Sequence, residues 1–369
     1  MANTEPWLLR DFRAGRISKD VVSNFIVPEN SVSNSVNINF DEIIGSAKVR
    51  AGTTKLGDTV SANDTPLGLA PFIGPGGTPD YLLAVFSDGA SGTIYYYDNA
   101  IGSWNIASTF SGLDPEEKNR FAVLGGSAFI TNPVDGMQDS PDADTWGTDN
   151  SIPTYKPSLV FRYAARLLAA GDPSFPDRVF FSSIIDPSTS PFITWDVDPV
   201  TGDWIDINPD DGGYVTGFSE TSTFVLVFKN TGMYRMDTIS KTVDPENIFN
   251  VGAVSQEAIT LCQGVTYYFS GVDIRRTNGG YPEQISRTGV QDFIDAIPLD
   301  NWTSVCAGTD QLNVYFFIGN VTLNKNQTNE RNYTNVVLKF SPRDQSWSVH
   351  EYAHEYKFFA SFITNVLAL

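Results

Sequence analysis

The chain has 369 residues and carries 43 acidic against 24 basic side chains, a formal net charge of −19 at pH 7. That sign disfavours a role in coating duplex DNA. No apolar run reaches the roughly 18 residues needed to span a bilayer, and the opening MANTEPWLLRDFRAG lacks the apolar core of a signal peptide. Phe and Tyr are plentiful, and 30 Gly and 21 Pro are spread along the chain as turn punctuation. This predicts an all-β protein, one large domain or two of ordinary size.

Residues 1–42 do not read as part of a regular repeat. Trp7, Phe12, Phe25 and Phe40 dot a polar, extended stretch that also holds Pro28 and the chain's one basic concentration, Arg10, Arg13, Arg16 and Lys19. Apolar side chains left in water are costly. The segment is therefore expected to be an extended assembly arm lying on another subunit or another protein rather than on its own domain. From residue 43 to 369 the pattern changes to short β-type runs. Lys48-Val49-Arg50 reads as a short strand and residues 57–79 as loop-rich. Blades are then expected to open at Tyr81, Phe121, Ser158, Tyr214, Leu261 and Trp302. Gly125-Gly126, between two apolar runs, signals a two-residue hairpin. Lys357 to Phe362 starts one more strand. That strand and the one at 43–52 are candidates for closing a ring from both ends, and the stop at Leu369 leaves a longer polypeptide open.

One ribbon recurs along this stretch. Ser341-Pro342 is followed by Trp347, Asp98 by Trp104, Ser140-Pro141 by Trp146, and Asp198-Pro199 by Trp204, always at an offset of six. Asp or Ser opens a turn by bonding to backbone two residues on, and Pro presets φ at the next position. The gap from Trp104 to Trp146 is 42 residues, from Trp146 to Trp204 is 58, and from Trp204 to Trp347 is 143. Propeller blades run about 40–50 residues, so the last gap should hold two degraded copies. Candidates are Phe224 to Phe228 with Gly232-Met233-Tyr234, and Val265 to Ser270 with Asp273-Ile274. The expectation is a β-propeller of six four-stranded blades, with seven the next count.

Catalytic signals are weak. His350-Glu351-Tyr352-Ala353-His354 matches H-E-x-x-H, but it follows a hairpin. In a strand the two His would stand about 13 Å apart, and the chain has no third. They are better read as exposed or partly packed side chains. Asp196, Asp198, Asp203, Asp206, Asp210 and Asp211 lack calcium-loop spacing and read as turn carboxylates. Tyr95, Tyr97, Tyr267 and Tyr268 suit sugar stacking or strand core equally. Cys262 and Cys306 read as buried thiols. No catalytic, cofactor or metal residues are assigned, and the chain is not expected to be an enzyme.

Several segments carry a family likeness. Asp11-Phe12-Arg13-Ala14-Gly15, Val27-Pro28-Glu29-Asn30-Ser31, Asn37-Ile38-Asn39-Phe40-Asp41 and Arg50-Ala51-Gly52 occur in that order. Arg166 to Gly171, Arg178 to Ser182, Val215 to Phe218 and Val225 to Lys229 follow. Together they resemble virion propeller proteins of short-tailed bacteriophages. The resemblance implies a tail hub or nozzle component, ringed around the DNA exit channel and located in the virion. Implied partners are copies of itself, a hexamer being expected, with portal or adaptor and other tail proteins, and DNA that passes without specific binding. Acidic side chains are expected to face the channel of that ring. The alternative is a propeller that binds or cleaves carbohydrate as a host-receptor protein.

Overall fold

A computed structural model describes residues 15–17, 31–32, 35–41, 46–50, 52–58, 60, 64–73, 79–108, 110, 112–148, 152, 154–185, 193–198, 200–243, 249–325 and 327–361. Two short pairs come first: parallel β1 (Gly15–Arg16) with β2 (Ser31–Val32), and antiparallel β3 (Ile38–Asn39) with β4 (Lys48–Val49). Blade one is β5 (Thr65–Ile73), β6 (Pro79–Ser87), β7 (Gly92–Asp98) and β8 (Ser103–Ile106). Blade two is β9 (Arg120–Leu124), β10 (Ser127–Asn132) and β11 (Gly136–Ser140). Blade three is β12 (Leu159–Tyr163), β13 (Arg166–Asp172), β14 (Phe175–Phe181) and β15 (Trp204–Asp206). Blade four is β16 (Val215–Glu220), β17 (Val225–Lys229), β18 (Gly232–Asp237) and β19 (Thr242–Val243). Blade five is β20 (Ile259–Cys262), β21 (Val265–Phe269), β22 (Ile274–Thr277) and β23 (Glu283–Gln284), followed by the short helix α1 (Gln291–Asp295). Blade six is β24 (Cys306–Thr309), β25 (Val314–Leu323), β26 (Arg331–Ser341) and β27 (Ser346–Glu351). The protein is a six-bladed β-propeller.

The chain divides into two compact units. One holds residues 1–53, 257–278 and 282–356, with blades five and six; the other holds residues 54–256, 279–281 and 357–369, with blades one to four. Within each unit the first strands of neighbouring blades lie against one another: β5 on β9, β9 on β12 and β12 on β16 in one, β20 on β24 in the other. The central strands of each blade are sandwiched, so they read as unbroken apolar runs. Leu82 to Val85, Leu167 to Ala170, Val225 to Phe228 and Tyr267 to Phe269 are all buried. The Gly125-Gly126 hairpin forms with both φ angles positive (64° and 85°), joining Leu124 to Ser127 as its type demands.

The structure corrects the sequence reading at several points. Blade one opens at Thr65, inside the stretch expected to be loop. Pro66, Gly68 and Pro71 hide β5 from a propensity reading, yet it lies at one side of its sheet, where missing donors are tolerated. Gly68 is required there, because a Cβ would stand 2.5 Å from the Asn119 carbonyl oxygen. Blade two has three strands, with a single bridge, Asp139 to Gly147, in the fourth position. Each of the six sheets is built from consecutive strands, and residues 352–361 contain no strand, so the expected end-sharing blade is absent among the described residues.

The ribbons turn out to be the entries to fourth strands. Trp104 stands opposite Tyr97, and Trp347 opposite Phe340, in the same register behind Asp98–Ser103 and Ser341–Ser346 pairs. Trp146 follows a turn one residue longer, and Trp204 enters β15 from a hairpin inserted after β14. The degraded copy in blade four is Asp237 to Val243, with Val243 opposite Met236. The stretches proposed as degraded copies, at 224–234 and 265–274, are instead the middle strands of blades four and five. Asp98, Asp198 and Asp237 each accept backbone N–H bonds from the second and third residues onward. Those bonds favour the ionised form and hold the Asp198 and Asp237 carboxyls below the usual range. Asp88, Asp114, Asp142 and Asp310 make the same turn. These seven of the 43 acidic side chains therefore serve their own turns.

Candidate functional site

The N-terminal segment, expected on another subunit, contacts its own chain through β1 and β3 on β27 of blade six and through Arg16 on the stretch that follows blade five. Gly15 adopts φ +60° with its α-carbon pressed on β27; a Cβ would meet the Ser346 Cβ at 2.8 Å. That close approach seats Arg16, 4% exposed, under blade five. Its guanidinium donates to both Asp292 oxygens (3.1 and 2.6 Å) and to the Gly289 carbonyl, and stacks 4.6 Å from the Phe293 ring. Phe40 is 2% exposed. These two side chains find their burial, and Arg16 its charge partner, within the chain. Trp7, Phe12, Arg13, Phe25 and Pro28 lie outside the described residues.

Further along, Asn37 sits at φ +60°, tolerated by its short amide side chain. Its N–H donates to Val349 O at 2.8 Å, while its Oδ1 accepts from Glu351 N and from Arg50 Nε. The strap thus covers the outer edge of β27, whose unpaired backbone groups would otherwise be a template for another strand. Lys339 on β26 reaches out of the sheet to Asp41, 2.9 Å from each oxygen, with side chains 7% and 12% exposed. Arg343 donates to the Asp41 carbonyl. Arg50 stacks 4.1 Å over Tyr352 and donates to Glu351 O.

Beside this fastening lies a cleft of about 670 Å³, lined by Asp41, Gln263, Asp310, Tyr315, Lys339 and Arg343. Burial and then the Asp310 carboxylate, which accepts a hydrogen bond from the phenol, push the Tyr315 hydroxyl pKa well above its usual range. Burial raises the Asp310 pKa, but bonds from Asn313 N, Tyr315 and Leu312 N outweigh it and leave the carboxyl lowered. The charged groups lining the cleft already have partners: Asp41 pairs with Lys339, Asp310 accepts from Tyr315, and Arg343 pairs with Asp344.

The other sequence candidates separate. His350 is on β27 and 2% exposed, not surface or partly packed, because β3 and the Arg50 side chain cover that strand; His354 is exposed beyond the strand's end. The Asp-rich stretch disperses into single roles: Asp198 caps its turn, Asp203 pairs with Lys241, Asp206 with Arg178 and Asp211 with Lys229. No metal-sized group of acidic, His or Cys side chains forms among the described residues. Tyr97, Tyr267 and Tyr268 are core, and Cys262 and Cys306 are buried thiols not joined in a disulfide.

The Arg16–Asp292 pair joins residues 276 positions apart, which no local pattern announces. Charged hydrogen bonds contribute about 1.5–3 kcal/mol. Arg16→Ala is therefore expected to reduce hydrogen-exchange protection at the Ile17 amide, which donates to Val32 O, by roughly 10- to 100-fold. The urea midpoint of the blades should stay put. Unchanged protection at Ile17 would show that β1 does not depend on the pair.

No protein-family model matches the chain, and no curated protein matches it at a significant level.

Proposed function

We propose that the chain is a structural virion protein of a tailed bacteriophage: a hub or nozzle propeller that assembles with copies of itself in a ring around the DNA exit channel. One observation carries this reading. The segments that resemble the phage virion group contain the residues that fasten the strap: Gly15, Asn37, Phe40, Asp41 and Arg50. A hydrolase does not need such a fastening, whereas a ring component has to hold its N-terminal segment in a defined place. The rest of that segment, with Trp7, Phe12, Phe25 and Arg13, supplies the contacts to neighbouring copies, portal or adaptor and other tail proteins. DNA passes without specific binding, since the net charge of −19 gives a phosphate backbone few counterions to release.

Electron microscopy of the purified full chain, with mass measured in solution, tests this. Closed rings of the chain, with no retention of duplex DNA at physiological salt, are the expected result. A protein that stays monomeric at every concentration and binds a host-surface glycan would replace the reading with a receptor-binding propeller.

A further inference from the structure

His350 on β27 is an ionisable side chain buried without a hydrogen-bonding counterpart. Its ring is buried, and neither nitrogen has a hydrogen-bond partner of normal geometry. It stands opposite Val337 of β26, with Lys339 two residues along that strand on the same face of the sheet. From the strap side Arg50, Asp41 and the Ile38 backbone act on it, and Tyr352 packs edge-on at 6.3 Å. Glu351, next in sequence, is engaged by Thr334 N. Two cations and one carboxylate therefore surround the imidazole, and that carboxylate already neutralises Lys339.

The strap's hydrogen bonds to β27 bracket this residue. Asn37 N donates to Val349 O on one side, and Asn37 Oδ1 accepts from Glu351 N on the other. Below it the β26–β27 ladder is unbroken from Ser341–Ser346 to Val336–Glu351. A charge placed on His350 must reach water, and lifting the cover is cheaper than opening the ladder: the strap pairs with itself through only two residues in β3 and two in β4.

We infer that His350 is an acid-sensitive latch for the N-terminal strap: neutral, it lets the strap lie on blade six, and once protonated it drives residues 37–41 and Arg50 off that face. Burial first, then Lys339 and Arg50, depress its pKa from the usual 6.5 to about 4, with Asp41 and the Ile38 backbone pulling the other way. The sign follows from linkage. The lifted state, with an ordinary imidazole, binds a proton more readily than the latched state, so latching is full above about pH 6.5, weakens as pH falls, and has lost its advantage below about pH 4. The device belongs to the single chain and works whether or not copies assemble.

Hydrogen exchange on the full chain between pH 7.5 and 4.5, corrected for intrinsic rates, tests it. The amides of Asn37 and Arg50, which bond to Val349 O and Asn37 O, should open on the order of 50-fold more at pH 4.5 than at pH 7.5. Amides of β17 and β21 should stay protected. His350→Phe and His350→Gln, neither of which can charge, should both abolish the transition, and His354→Gln should leave it intact. The latch is overturned if either neutral His350 variant folds and keeps the wild-type transition. It is likewise overturned if the wild-type strap stays closed at pH 4.5, or if β17 and β21 open together with it.

Discussion

Replacing Lys229 by alanine should destabilise the protein by about 3–5 kcal/mol, the usual cost of leaving a buried charge without its partner. Lys229 ends β17, a strand buried along its length, and its ammonium is fully enclosed. It donates to Asp177 at 2.7 Å, Asp211 at 2.5 Å, Ile207 O at 2.8 Å and Asn208 O at 3.1 Å. Asp177 belongs to blade three and Lys229 to blade four, so one side chain ties adjacent blades through the link between them. The surroundings cannot relax into the gap: Gly252 is pressed on the Lys229 carbonyl so closely that a Cβ would stand 1.8 Å from its oxygen.

The acid dependence of the same site follows from Asp211. Burial raises its pKa, but hydrogen bonds from Lys229, Gly213 N and Thr231, with the Lys229 charge, outweigh burial and bring it to about 2. A depressed carboxyl stabilises fully above its ordinary value near 4, and that contribution is lost as pH falls through about 2. In Lys229→Ala the Lys229 bond and charge are gone, and only the Gly213 N and Thr231 bonds still oppose burial, so Asp211 becomes easier to protonate. The stability gap between wild type and variant should therefore narrow from pH 7 towards pH 4. Urea midpoints across that range decide it. A further variant, Lys229→Met with Asp177→Asn and Asp211→Asn, should recover much of the loss, because neutral groups carry no buried charge. A gap that stays constant with pH would mean that the cost is packing alone.

What the sequence disclosed and what it withheld divide along range of interaction. Turn-opening residues act within six positions, so the ribbons, the Gly125-Gly126 hairpin and the blade count could be read directly. Where a ribbon kept its Asp but exchanged Trp for Val, at Asp237–Val243, the aromatic cue was gone and the turn was overlooked; the Asp offset alone was the surviving signal. β5 was hidden because its two Pro contradict strand propensity, although its place at one side of the sheet permits them. The strap's seat on its own chain is hidden for a different reason. Apolar residues in a polar segment reveal that it must be covered, not by what. Asp41 finds Lys339 298 positions away, and only the folded blade brings them together. His350 is similar: its place after a hairpin suits a strand, but the cover over that strand comes from β3 and Arg50, far away in sequence.

The second large effect is expected at Trp347, where Trp347→Ala should cost about 3–5 kcal/mol. The indole is 2% exposed, 4.9 Å from the Phe340 ring, and donates to Ile285 O at 3.0 Å. Its walls are backbone. Gly289 lies so close that a Cβ would stand 2.2 Å from Cδ1, and Gly15 rests on the strand beside it, 3.3 Å from the Trp347 carbonyl oxygen at its own Cβ position. Walls of this kind cannot collapse into a cavity as flexible side chains do, which places the substitution at the costly end of the range. Trp104 supplies the contrast. It holds the same register in blade one, but it is half-buried, packs edge-on against Tyr97 at 5.4 Å and Phe86 at 6.4 Å, and donates to Leu56 O at a long 3.4 Å. Trp104→Ala should cost about 1–2 kcal/mol by the area it covers. Trp347→Ala should also loosen the strap, since β1 sits on β27 at this point, and the Ile17 amide should lose protection with it. Urea midpoints of the two variants, with exchange at Ile17, give the comparison. Equal losses at Trp104 and Trp347, or an Ile17 amide indifferent to Trp347, would mean that the ribbon aromatics act as equivalent repeat units rather than through what each blade packs against them.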